Sequence, residues 1–251
     1  MTSNKIHFFD FVKNLDLQAE NGLEKNIILI EKKSLAFYFH EFCIEKPQFF
    51  FRELIQEYSN RKIRLIVIYE FQWIQNQQII QSRIESMFDK SLTIHGRKTK
   101  FVRIDKAQSE IFLNENHLQG YVSSKFKYGL FLKTELVAVA TFSAGRKMNE
   151  QPEDYRSFEL IRFANKLGFR VVGGLTKLLM GFTKMHNPGD IMTYVDSAWS
   201  DGTGFEAIGF EIKGELKPQE IFANQDKSIP IIWNAGSLKM VLKTHQSFEN
   251  E

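Results

Sequence analysis

The chain has 251 residues, enough to bury a substantial core in one large domain or two smaller ones. Its 43% apolar and 25% charged fractions are those of an ordinary globular protein, and a net charge of +3 permits contact with nucleic acid without demanding it. The lack of an 18-residue apolar run excludes a membrane-spanning helix, and a lone cysteine, Cys43, excludes an internal disulfide, which fits a cytoplasmic chain.

The first residues, MTSNKIHFFDFVKNLD, mix charge with aromatics and lack the apolar stretch of a secretory signal. Residues 1–22 read as a short amphipathic helix ending at a turn, Asn21-Gly22. Residues 26–30 (NIILI) and 35–39 (LAFYF) are strand-like and flank Glu31-Lys32-Lys33, the pattern of a hairpin. Residues 49–58 read as a helix with Phe50, Leu54 and Tyr58 on one side. Residues 64–69 (RLIVIY) form a continuous β-branched run, as a buried strand should. Residues 79–88 are again helical. The basic stretch 95–100 (HGRKTK) is taken as a linker that could touch phosphate; a solvated turn inside one domain is the alternative.

Beyond it the spacing predicts a strand at 101–104, a helix at 106–114 and a polar turn at 116–120. A strand pair at 128–133 and 136–143 follows around Lys133-Thr134-Glu135, and then a polar loop at 144–154. The densest information lies in residues 155–210. Residues 157–164 are a short strand, and Gly173-Gly174 breaks the pattern. Leu175, Leu178, Leu179 and Phe182 then recur at the spacing of one helical face, until Asn187-Pro188-Gly189 stops the helix. Residues 191–195 are a second strand. Strand-like material at 212–222, 229–233 and 238–242 and a polar tail at 245–251 complete the chain. A glycine pair between a strand and a helix start leaves free backbone N–H groups and the positive end of the helix dipole to receive an anion; glycine turns also occur there for steric reasons alone.

Several polar residues have two readings each. His117, in the turn NHLQG, is a general base or a capping histidine. Asp196 ends a strand, where carboxylates face ligand crevices, or it caps the next turn; by the two-residue period Tyr194 shares its face. Glu159 and Arg162 differ in parity and so are expected on opposite faces of their strand. Arg146 follows a strand in a polar loop and is a candidate for phosphate contact. Trp199, beside Ser200 in a Ser/Asp/Gly loop, is a candidate to stack on a base, or else covers the core beneath it.

The order strand pair (129–142), strand (157–164), Arg170-Val171-Val172-Gly173-Gly174 turn, helix, strand (191–195) and the segment GFEAIGF resembles the GNAT acyltransferase fold. In that family the turn carries an R/Q-x-x-G-x-G/A pattern that holds the coenzyme A pyrophosphate. Arg170 to Gly173 match its first four positions, and Leu175 stands where a small residue is expected. The resemblance implies acetyl-CoA or a related acyl-CoA held by Arg170, Val172, Gly173 and Gly174. It further implies catalysis by His117, Asp196 and Tyr194, and substrate contacts from Arg146, Arg162, Trp199 and Ser200.

HGRKTK, NHLQGYV, LVAVATFSAGR, ELIRF, VVGGLTKLL, YVDSAWSDG and GFEAIGF, in order over about 95–212, are also similar to Mom-like DNA-modification proteins and to the C-terminal module of phage homing-endonuclease-like proteins. In the latter the module follows a Vsr-like nuclease domain. KIRLIVIYEFQW (62–73) resembles its closing strand. Tyr38 of SLAFYF stands where the family has a metal-binding acid, and FFFREL replaces its His-x-x-Lys-Thr helix, so a degenerate nuclease with no metal is implied.

These readings give an α/β (α+β) protein in two parts: a nuclease-like unit over residues 1–95 and a GNAT-like, Mom-like mixed-sheet domain over 96–251. The expected activity is acyl transfer to an amine, on a DNA base in the Mom-like reading. The alternatives are a non-catalytic DNA-binding remnant of a homing endonuclease and an acyltransferase acting on a small amine or a protein.

Overall fold

The Thr2 hydroxyl accepts the Lys5 amide hydrogen and so starts α1 (Ser3–Leu15), which buries Phe8, Phe9 and Val12. The structure, a computed structural model, describes residues 2–16, 18–21, 25–221 and 232–244. Gly22, residues 222 and 229–231 of two expected strands, and the tail from 245 lie outside them. After α1 come β1 (Glu20–Asn21), β2 (Ile27–Ile30) and β3 (Leu35–His40). The expected turn at Glu31–Lys33 links the last two, and Ser34 leaves it at φ 48°. Every residue of β3 is buried, as its unbroken apolar run demands.

Next are α2 (Phe50–Asn60), which buries Phe51, Leu54 and Tyr58, then β4 (Arg64–Tyr69) and α3 (Glu70–Met87). The last begins earlier than expected and is broken by non-helical backbone at Asn76. There follow β5 (Leu92–His95), β6 (Lys100–Arg103), α4 (Lys106–Asn116), β7 (Phe126–Leu132), β8 (Glu135–Phe142), β9 (Arg146–Lys147) and β10 (Arg156–Asn165). The chain continues through β11 (Phe169–Val172), α5 (Gly174–His186), β12 (Asp190–Asp196), α6 (Thr203–Glu206), β13 (Glu211–Leu216), β14 (Glu220–Ile221), β15 (Ile232–Trp233) and β16 (Ser237–Lys243). The fold is mixed α/β, as expected.

The described residues fall into two compact units, the first within 1–77, 195–203 and 214–239, the second within 78–194, 204–213 and 240–251. The division expected at 95/96 therefore falls inside the second unit, and two later segments return to the first. The physical reason lies in HGRKTK. Its histidine ends β5, which pairs in parallel with β11 from Leu92–Phe169 to His95–Val172. Gly96–Lys98 then makes a 3-10 turn so close to Gly173 that a Cβ on Gly96 would come within 3.1 Å of the Gly173 backbone. The stretch is a built part of a domain rather than a linker.

In the first unit the sheet order is β1-β2-β3-β4: an antiparallel meander, then β4 parallel to β3 over six residue pairs. In the second unit the sheet runs β6-β7-β8-β10-β12 and continues into β16 and β13. Neighbours from β6 to β10 are antiparallel and β10–β12 is parallel, which makes the sheet mixed. One face takes α5, whose Phe182 stacks on Phe142 with ring centroids 3.9 Å apart. The other face takes α4, where Phe112 and Leu113 pack with Ile104, Val139 and Ala164.

Candidate functional site

Two local devices shape β10. It pairs with β12 only from Ser157–Asp190 to Glu159–Met192, and beyond that point the two strands part. Opposite β8, the register passes from Leu160–Phe142 directly to Arg162–Thr141, so Ile161 is the extra residue of a bulge. Past Glu159, the backbone groups of β10 on the β12 side are released from that ladder; Leu160's carbonyl accepts the Thr193 hydroxyl at 3.0 Å instead.

The bulge corrects the parity reading. Leu160 lies across from Phe142, on the α5 face, so its neighbour Glu159 points to the α4 face. Arg162 lies across from Thr141, which also points to the α4 face. Glu159 and Arg162 therefore share a face rather than opposing each other, and the Glu159 charge acts on the Arg162 guanidinium. Thr141 is fully buried there, and its hydroxyl has no hydrogen-bond partner among the described residues.

Next to the parting strands, β11 leads into α5 through Gly173, which has φ 70°. That conformation suits glycine, and no atom lies within 4 Å of the place a Cβ would occupy. No side chain caps the start of α5. Lys177, in its first turn, donates to the carbonyls of Gly96 (3.1 Å) and Thr99, fastening the 3-10 turn to the helix start. Arg97 and Lys98, exposed on that turn, are thereby brought beside Gly173. The sequence singled out their basic stretch but gave no sign of where it packs. Val172 is exposed, Leu175 half-buried and Gly174 buried against Val171. Arg170 points to Asp89, with its guanidinium 3.1 Å from that carboxylate.

His117 is the C-terminal cap residue of α4. Its Nδ1 accepts the Gln119 amide hydrogen at 3.1 Å, which leaves the ring proton on Nε2. Burial, then the charges of Arg162 and Arg83, lowers its pKa to about 3. The ring is neutral at pH 7, its acceptor nitrogen Nδ1 is engaged by the Gln119 amide and its Nε2 is a donor, contacts that match the capping reading of His117. Arg162 donates to the carbonyls of Gly120 (3.2 Å) and Ile161 (2.9 Å), which ties the α4 turn to β10 and makes it a brace rather than a free substrate contact. Arg146 is exposed on β9.

Along β12 the even-numbered residues are the more exposed, so Tyr194 and Asp196 do share a face; Tyr194 falls in the second unit and Asp196 in the first. Asp196 accepts the Ala198 amide hydrogen at 2.9 Å and its carbonyl accepts those of Trp199 and Ser200, the capping role read as its alternative. Trp199 is only 2% exposed, and its carbonyl accepts the Arg64 guanidinium at 2.7 Å. The base-stacking role expected of it is overturned: the indole fills the first unit's core. The Ser200 hydroxyl accepts the Gly202 amide hydrogen at 3.2 Å.

No protein-family model matches the chain, and no curated protein does. Among the solved structures that resemble it are acetyltransferases. A GNAT family acetyltransferase from Elizabethkingia anophelis with acetyl-CoA bound is 13% identical, at TM-score 0.40, over 59% of this chain and 99% of its own. Naa50 from Arabidopsis thaliana, in complex with a bisubstrate analogue, is 12% identical, at TM-score 0.43, over 59% and 99%. A Bacillus subtilis acetyltransferase in complex with CoA is 13% identical, at TM-score 0.41, over 59% and 99%.

Proposed function

We propose that the second unit is a GNAT-like acyltransferase that takes an acyl-CoA donor and acylates an amine. The observation that carries this reading is the parting of β10 from β12 after Glu159–Met192, beside an uncapped helix start entered through Gly173. The residues fit such a donor: the space a Cβ at Gly173 would fill is open, and the first N–H groups of α5 together with its dipole suit a pyrophosphate. Coenzyme A held there supplies an acyl thioester. Glu159, whose charge acts on the neighbouring Arg162 guanidinium, accepts the proton that the amine must shed. The released backbone N–H groups of β10 steady the oxyanion. The acceptor contact in this reading is Tyr194, which is exposed on β12.

The resemblance of NHLQGYV, ELIRF and YVDSAWSDG to Mom-like proteins supports a nucleobase amine as the acceptor; a duplex base would leave its stack at a cost of a few kcal/mol. The first unit fits a degenerate nuclease-like domain, because Tyr38, at the acid's position, is 1% exposed and packed between the rings of Phe50 and Phe51. A second reading, a non-catalytic DNA-binding remnant, is favoured by Leu175 at the small-residue position and by the engagement of Arg170 with Asp89. The test is thiol release from acetyl-CoA with adenine-containing DNA or spermidine as acceptor. Glu159→Gln should lower kcat about 100-fold, with the KM for acetyl-CoA unchanged. Thiol release unaffected by that change would remove Glu159 from the chemistry.

A further inference from the structure

The strand β6 is the last of its sheet among the described residues, and its surroundings are basic. From His95 to Lys106 the chain carries Arg97, Lys98, Lys100, Arg103 and Lys106, all exposed, against one acid, Asp105. The Asp105 carboxylate accepts the Gln108 amide hydrogen at 2.8 Å and is spent capping α4. A second row, Lys125 and Lys127, lies at the start of β7, next to the edge, where Ile104 N–H donates to the Lys127 carbonyl at 3.0 Å. Lys127 is crowded: burial, then the charges of Arg103, Lys106 and Lys125, lowers its pKa, with no acid acting against them. Among the described residues Glu110, 3.9 Å from Lys106, is the one acid of α4 paired with the set.

These are seven of the chain's 33 Lys and Arg residues, in a protein whose net charge is only +3, so the rest of the chain carries more acid than base. Charged side chains on an edge strand also discourage edge-to-edge pairing. That purpose does not account for Lys125 and Lys127, which sit one strand in and add repulsion with no gain at the edge. Nor does the surface suit a small anion: Arg103 lies across from Tyr128 and Lys127 across from Thr141, so the cations flank both faces of the sheet edge, and Lys100 and Arg103, three residues apart on β6, are about 10 Å apart along the strand. It has no exposed aromatic ring, the usual platform for unstacked bases; Phe101 stacks inward on Tyr128 at 4.8 Å.

We propose that this edge, from Arg97 to Lys106 with Lys125 and Lys127, binds the phosphodiester backbone of duplex DNA without regard to sequence. It rests on the DNA-directed readings above for its partner but not on acyl transfer, since none of these side chains is assigned to donor or proton: thiol release without DNA affinity would sink this surface alone, and DNA affinity without thiol release would sink the transferase reading alone.

The experiment is fluorescence anisotropy of the full chain with a labelled 20-base-pair duplex of arbitrary sequence, and with single-stranded RNA of equal length, between 50 and 200 mM salt. Contact with about five phosphates predicts an affinity loss of 10²–10³-fold over that range. The triple variant Arg103→Ala/Lys125→Ala/Lys127→Ala should flatten the log–log salt slope by about 3 and weaken binding at least 10-fold at 100 mM salt. A control triple, Lys25→Ala/Lys32→Ala/Lys90→Ala, removes as much charge elsewhere and should leave the slope as it is. No duplex binding at 50 mM salt would overturn the proposal. So would equal losses in the two triples, or tighter binding of RNA than of duplex. Circular dichroism checks that both triples are folded; Lys127 is half-buried, so should the first triple unfold, Lys125→Ala alone, at an exposed position and expected to flatten the slope by about 1, decides in its place.

Discussion

Each unit holds a parallel strand pair, β3–β4 in the first and β10–β12 in the second, and the two pairs end differently. The first stays in register from Leu35–Arg64 to His40–Tyr69 and is then sealed by its own chain. Glu41 accepts the Thr2 amide hydrogen at 2.9 Å and holds Lys5 at 3.3 Å; Glu70 accepts from Asn4 and from the Phe42 amide, at 2.9 and 2.8 Å. His40 is buried among the rings of Phe51, Tyr69 and Tyr38. The second pair lets go after three residue pairs, beside a bulge and an uncapped helix. Crevices at the carboxyl ends of parallel strands are where ligands bind. The same feature becomes a plug when the chain packs over it, as the Glu41 and Glu70 contacts and the rings around His40 do, and a site when it is left open.

The largest effect expected in the first unit is that of Trp199→Ala. A core residue 2% exposed should cost about 3–5 kcal/mol, read as a lower denaturant midpoint for the first unit. A base-stacking tryptophan would cost little stability. Next is pH. Burial, then Lys46, lowers the His40 pKa to about 4, against the pull of Glu70 and Glu41. The unfolded chain takes up this proton below its ordinary value near 6.5 and the folded chain only near 4, so stability should fall as pH drops through that window, by up to about 3 kcal/mol. His40→Phe should remove that part of the slope between pH 7 and pH 4.5; an unchanged slope would mean that His40 is not held neutral.

On the open side, Gly173→Asp should change stability by no more than about 1 kcal/mol, because the strain of φ 70° is offset by a carboxylate at a helix start. Its effect should fall on donor binding. The smallest effect belongs to Arg170→Ala: its exposed pair with Asp89 is worth under about 0.5 kcal/mol, so thermal stability should barely move.

What the sequence shows clearly is local. β4 matches its β-branched run residue for residue, and α5 begins after Gly173 and ends at Asn187, at φ 43°. The site's geometry is not local. One bulged residue leaves no mark on a two-residue period, so Glu159 and Arg162 were placed on opposite faces. The pairing of β5 with β11 joins distant segments, and this turned HGRKTK from a linker into the wall beside Gly173. Trp199, in a loop of Ser, Asp and Gly, gave no local sign that residues 195–203 return to the first unit's core.

The most direct measurement is calorimetric titration of the protein with acetyl-CoA, beside Gly173→Asp. The account predicts micromolar binding by the wild type and at least a 10-fold loss in the variant, with both folded. Absence of binding by the wild type, or equal binding by the two, would contradict a donor site at Gly173.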